Sequence, residues 1–235
     1  MRNRLSYIWR KIIPPGRINE KRSFSQCGED LILDFLFREL GISKPSYLDI
    51  GAHHPKYLNN TYLFYLNGSR GINIEPDPAL FSEFGKTRSG DINLNIGIGE
   101  KETEADFYIM TEPTLNTFVK EEAERIEREQ SFYKIKEVRK IRLRAVTDVI
   151  REYRNGIFPD FMSLDVEGLD EMILRSIDFK INAPKVICVE TLTFAANRTG
   201  QKKEDLIRFV SEMGYMIYAD THINTIFVRK EIWEK

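Results

Sequence analysis

Short runs of β-branched and aromatic residues alternate with stretches of helical periodicity through most of the chain. That alternation predicts a parallel sheet flanked by helices. Strands are expected at residues 47–50, 71–75, 92–98, 161–166, 186–191, 216–220 and 225–229. Between them, Leu31, Ile32, Phe35, Leu36 and Leu40 form an apolar helical stripe that stops at Gly41, as a helix C-terminus should. Met172, Ile173 and Ile177 form a second stripe, and Leu206, Ile207, Val210 and Met213 a third. Only a few residues around His222 join the last two strands, so these should pair as an antiparallel hairpin at one edge of the sheet.

Two segments break the alternation. Residues 119–140 are dense in charges of both signs, which predicts a solvated helical insertion with i,i+4 pairs; its place between two strands also makes it a candidate lid. At the start, Leu5, Ile8, Trp9, Ile12 and Ile13 share a helical stripe among Arg2, Arg4, Arg10 and Lys11 before Pro14-Pro15-Gly16. Residues 1–22 therefore read as a basic amphipathic segment, expected to pack on its own domain, with contact to a membrane surface or a partner as the weaker alternative. Residues 23–235 read as a single domain, since no Pro/Gly/Ser-rich linker divides them.

Composition narrows the function. The 235 residues carry 35 Lys+Arg against 36 Asp+Glu, a net charge of −1 that argues against a protein that coats nucleic acid. No apolar run is long enough to span a bilayer, and the N-terminus lacks the apolar core of a signal peptide, so a cytoplasmic location is expected. Cys27 and Cys188, the only cysteines, lie far apart and form no metal or redox motif, consistent with a reducing compartment.

In open α/β sheets ligands bind beyond the carboxyl ends of the strands. The first strand ends in Asp49-Ile50-Gly51-Ala52, and the second in Ile74-Glu75-Pro76, about 25 residues on, where nucleoside-binding sheets grip a ribose diol. No GxGxxG follows the first strand, which reads Gly51-Ala52-His53-His54-Pro55, and no GxxxxGK[ST] occurs anywhere. Dinucleotides, ATP and GTP are therefore disfavoured, and with them an NAD(P)-linked oxidoreductase; a nucleoside without phosphates, such as S-adenosylmethionine (SAM), fits better.

From Ser25 to about Arg229 the chain resembles the FkbM-type SAM-dependent methyltransferases. The matching motifs are Ser25-Gln26-Cys27-Gly28-Glu29-Asp30, Tyr47-Leu48-Asp49-Ile50-Gly51-Ala52, Asn59-Asn60-Thr61, Gly71-Ile72-Asn73-Ile74-Glu75-Pro76, residues 141–150, Leu164-Asp165-Val166-Glu167-Gly168 and Val186-Ile187-Cys188-Val189-Glu190. The resemblance implies an α/β class I methyltransferase (Rossmann-like) fold: a seven-stranded, mostly parallel sheet with an antiparallel last strand and helices on both faces. It also implies SAM as methyl donor and a hydroxyl as acceptor, often on a sugar of a polysaccharide, glycan or nucleotide-sugar precursor. The chain departs from the family at His53-His54-Pro55, where an Asn and a small residue are common.

On this reading Asp49, Gly51 and Ala52 line the methionine and ribose side, and Glu75 with Pro76 holds the ribose. Asn95 and Ile96 lie by the adenine, while Gln26, Asn60 and Thr61 are donors for the SAM carboxylate. His53, Glu167, Glu190 and Asn224 are candidate acceptor-binding residues. All three histidines map to this edge, and imidazole titrates where a general base must, so Asp165, His54 and His222 are the candidate bases. A divalent metal on Asp165 and Glu190 is the competing way to activate the hydroxyl; it is not favoured, because hard cations prefer more oxygen ligands than these two. The rival from another class is a catalytically inactive SAM-binding or scaffold module that acts in protein interaction.

Overall fold

Strands that read as continuous apolar runs must be covered on both faces. The computed structural model shows such a sheet. The structure describes residues 20–193 and 199–235, so the stripe expected in residues 1–13 lies outside the described residues. Strands β1 (Tyr47–Ile50), β2 (Gly71–Ile74), β3 (Ile92–Leu94), β7 (Phe161–Leu164), β8 (Val186–Glu190), β9 (Tyr215–Asp220) and β10 (Asn224–Arg229) form a seven-stranded sheet in the order β3-β2-β1-β7-β8-β10-β9. From β3 to β8 every pair is parallel, whereas β10 runs antiparallel to both neighbours. The expected hairpin is present at one edge of the sheet, with the antiparallel β10 between β8 and the edge strand β9.

The period-two alternation assigns side chains to two layers. Leu48, Ile50, Met162, Leu164, Ile187 and Val189 pack with Val149 and Ile150 of α6 (Val146–Arg154), Leu174 of α7 (Asp170–Arg175) and Leu206 and Val210 of α8 (Glu204–Glu212). On the opposite face Tyr47, Phe161, Val186 and Cys188 meet Leu33, Leu36 and Phe37 of α1 (Glu29–Glu39) and Phe64 of α2 (Tyr62–Leu66). No helix among the described residues is long and apolar enough to cross a membrane.

Two expectations are corrected. The strand expected over residues 92–98 divides after β3. Asn95 donates from Nδ2 to the carbonyls of Glu75 and Pro76 (2.8 and 2.9 Å), and the chain leaves the main sheet to enter a second one as β4 (Gly97–Ile98). The charged insertion is also only part helix. α5 (Lys120–Glu129) is followed by β6 (Ile135–Arg144), which pairs in parallel with β4 and antiparallel with β5 (Thr103–Met110). Nor is α5 simply solvated: Ala123 and Ile126 are buried in a small core with Met110 and Leu115.

Candidate active site

The carboxyl ends of β1, β2, β7 and β8 open into a cavity of about 480 Å³. It is built first by the close approach of β1 and β7. Gly51 turns the chain at φ +75°, and a Cβ there would stand 1.8 Å from the carbonyl oxygen of Asp165, so only glycine fits. The amides of Gly51 and Ala52 both donate to the carbonyl of Ile74 (3.0 Å each), and the amide of His53 donates to Glu75 Oε2 at 2.7 Å. Glu75 Oε1 accepts from the amide of Asp77, also at 2.7 Å. The loop after β1 is thereby closed onto the end of β2. Burial pushes the Glu75 carboxyl up to about 8, with Asp77 and Asp49 adding to the rise.

Asp49 is buried beneath this loop and accepts from Thr61 Oγ1 (2.7 Å) and Asn59 Nδ2 (3.1 Å); burial raises its pKa, against those bonds and the nearby Arg88. Arg88 has no solvent exposure at all and donates to six partners: Asp91, the Pro55 carbonyl, Asn59, Tyr47, Thr61 and Asn73. It binds Tyr47 of β1 and Asn73 of β2 to the loop that carries residues 55–61.

The other end of the cavity is acidic. Asp165 and Glu167, just after β7, and Glu190, ending β8, bring carboxylate oxygens within 4.8 Å of one another, a set that could hold a divalent cation. Burial first, then mutual repulsion, raises the pKa values of Asp165 and Glu167 well above the usual carboxylate range. Glu190 is pushed up to about 7 by burial, although Lys203 holds it partly down. The Lys203 ammonium bridges Glu190 Oε2 (3.0 Å) and Asp170 Oδ2 (3.1 Å), while Asp170 Oδ1 accepts from the amide of Val166 at 3.1 Å.

Of the residues expected in the site, Gln26, Asp49, Gly51, Ala52, His53, Asn60, Glu75, Pro76, Asp165, Glu167, Glu190 and His222 line this cavity. Five do not. His54 accepts at Nδ1 from the amides of Lys56 and Tyr57 (3.1 and 3.0 Å), a turn outside the cavity. Thr61 supports Asp49 from below. Asn95 is committed to backbone carbonyls, and Ile96 packs on the main core. Asn224 donates to Glu29 Oε1 at 2.9 Å; Glu29 also accepts from Thr221 Oγ1 and from the Cys27 amide, which joins the strap carrying Gln26 to the turn carrying His222.

The second sheet supplies the wall that sequence reading missed. Phe107, Leu115, Asn116 and Phe118 line the cavity, and Asn116 Nδ2 donates to Asp77 Oδ2 at 2.9 Å. Thr117 Oγ1 donates to the carbonyl of Glu167 at 2.8 Å, so the same segment touches both ends of the site. Backbone strain is concentrated here too. Of the five described non-glycine residues with left-handed φ, His53, Leu58, Glu167 and His222 line the cavity, and only Asn155, which ends α6, does not.

The FkbM methyltransferase from Methylobacillus flagellatus KT is 16% identical, with a TM-score of 0.45; the match covers 79% of this chain, which spans only 44% of that one. The TehB-like SAM-dependent methyltransferase from Corynebacterium glutamicum is 12% identical, covers 96% of each chain and has a TM-score of 0.44. The O-methyltransferase from Bacillus cereus in complex with SAH is 11% identical, covers 96% of this chain and 97% of that one, and has a TM-score of 0.42. No curated protein matches the sequence. The methyltransferase FkbM domain matches residues 49–217, from the Asp49 of β1 to the edge strand β9, and the chain belongs to this methyltransferase family.

Proposed function

We propose that the protein transfers a methyl group from SAM to a hydroxyl of a sugar in a polysaccharide, glycan or nucleotide-sugar precursor. The observation that carries this reading is one cavity with two unlike ends: Asp49, Gly51 and Glu75 at successive strand ends, and Asp165, Glu167 and Glu190 facing them. When bound, SAM supplies an electrophilic methyl on a sulfonium. In this reading Glu75 accepts from the ribose hydroxyls, Pro76, Asn116 and Leu80, which also lines the cavity, enclose the base, and Gln26 and Asn60 donate to the carboxylate. Methyl transfer to oxygen requires removal of the hydroxyl proton and in-line positioning of the acceptor. Asp165 and His222 remain the candidate bases, because both line the cavity and His54 does not.

A specific observation favours a second route to the same step. Glu167 joins Asp165 and Glu190, so the site offers three carboxylates in place of the two expected from sequence, a set able to hold a divalent ion that would lower the hydroxyl's pKa. A SAM-binding titration followed by an assay of S-adenosylhomocysteine release tests the reading, and binding without turnover would favour the inactive scaffold. Loss of turnover in EDTA with rescue by magnesium or manganese would select the metal route.

A further inference from the structure

Anions are held in proteins by free cations and unpaired backbone N–H groups, and this cavity provides few of either. Among the described residues, its lining includes five carboxylates (Asp49, Glu75, Asp165, Glu167 and Glu190) and no lysine or arginine. Three cations near the cavity among the described residues are already engaged. Lys203 is bound to Asp170 and Glu190, and Lys202 donates to Thr191 and Asp220. Arg88 lies beneath Asp49 with no exposure. The amides best placed to cradle an anion are taken as well: Glu75 accepts those of His53 and Asp77, and Asp170 that of Val166.

Resting on the proposed methyl transfer, we infer that the acceptor is a neutral or amine-bearing polyol, and that phosphorylated and carboxylated compounds, nucleotide sugars included, are excluded. Five carboxyl groups in one lining supply many acceptor oxygens and suit a ligand rich in hydroxyl or ammonium donors. A hydroxyl or ammonium donor finds oxygens to pair with across this end, whereas a phosphate or carboxylate finds no lysine or arginine among the described lining residues. The inference removes the nucleotide-sugar branch from the proposed function and keeps the glycan branch.

The test uses the full chain with SAM and matched acceptors: methyl glucoside and glucosamine against glucose 6-phosphate, glucosamine 6-phosphate, glucuronic acid and UDP-glucose. Each is assayed for S-adenosylhomocysteine release in EDTA and in magnesium. The expected result is a kcat/KM at least ~10-fold higher for the neutral and amine members than for their anionic partners in both buffers. Equal or better use of an anionic partner in either buffer overturns the inference while leaving methyl transfer standing. If SAM binds but the whole panel is silent, the sugar reading fails, and a second measurement still decides the charge rule. The phosphorus resonance of glucosamine 6-phosphate should keep its line width beside S-adenosylhomocysteine-loaded protein; broadening reversed by excess glucosamine would overturn the inference.

Discussion

Glu75 carries the most consequence of any single residue here, because its two oxygens close the loop after β1 and it is also the expected ribose ligand. Its raised pKa fixes a sign. A carboxyl held above its ordinary 4.5, at about 8, contributes stability that is complete below the lower value and is lost as pH rises through the upper one. The empty protein should therefore lose stability across that window. Ribose hydroxyls favour the ionised form, so SAM binding at pH 7 should release protons, measurable by calorimetry in buffers of different ionisation enthalpy. Buffer-independent heats would remove Glu75 from the ribose. Glu75→Ala should weaken SAM binding by ~1–3 kcal/mol. For the base, His222→Ala or Asp165→Asn should lower turnover ~100-fold or more with SAM affinity nearly intact, whereas His54→Ala should stay within a few-fold. A large loss on His54→Ala would contradict its position in an outer turn. The strand-end residues were legible because a strand's carboxyl end is readable from its pattern. Thr61, Asn95 and Asn224 lie at the same edge, but which way a side chain turns there depends on partners such as Asp49 and Glu29 that no local pattern names.

At the level of elements, the main-sheet strands were legible because burial on both faces writes a continuous apolar run. The second sheet was not. β6 places Lys136, Lys140 and Arg142 beside Glu137 and Arg139, so charge occupies both faces and hides its period of two; only Ile141 and Leu143 betray a covered side. Its pairing with β5 is supported by the Lys140–Asp106 and Arg142–Glu102 ion pairs and by Phe107, Ile109 and Ile141 packed together. An eight-pair ladder is a poor candidate for a moving lid. Hydrogen exchange should show β5 and β6 protected with and without ligand, while residues 111–119, which bear Asn116 and Thr117, gain protection when SAM binds. Free exchange along β6 in the absence of ligand would restore the lid.

Across the whole molecule, one buried guanidinium links elements that are distant in sequence. Arg88→Met should cost ~3–5 kcal/mol in urea denaturation, because the Asp91 carboxylate, with no side-chain exposure, would keep its hydrogen bonds from Tyr47, Gly71 and Asn73 but lose its opposite charge. A loss below ~1 kcal/mol would show that water replaces the network. Arg88 left no signal in the sequence; a lone arginine after a short helix resembles any surface residue until the fold encloses it. The strand order has a consequence of another kind. A ribosome releases β9 before β10, yet β10 lies between β9 and β8, so β9 cannot be seated and β8, paired with β7 on one side, keeps its other edge open until nearly the last of the described residues has emerged. Until then Val186–Glu190, buried along its whole length in the finished protein, is a bare apolar edge open to any extended chain nearby. Nascent chains halted before residue 224 should therefore aggregate or be captured by chaperones, and those released after residue 229 should not, as sedimentation of stalled and released products would reveal. Quality control of this protein would then turn on β10, far in sequence from most of the residues that line its cavity.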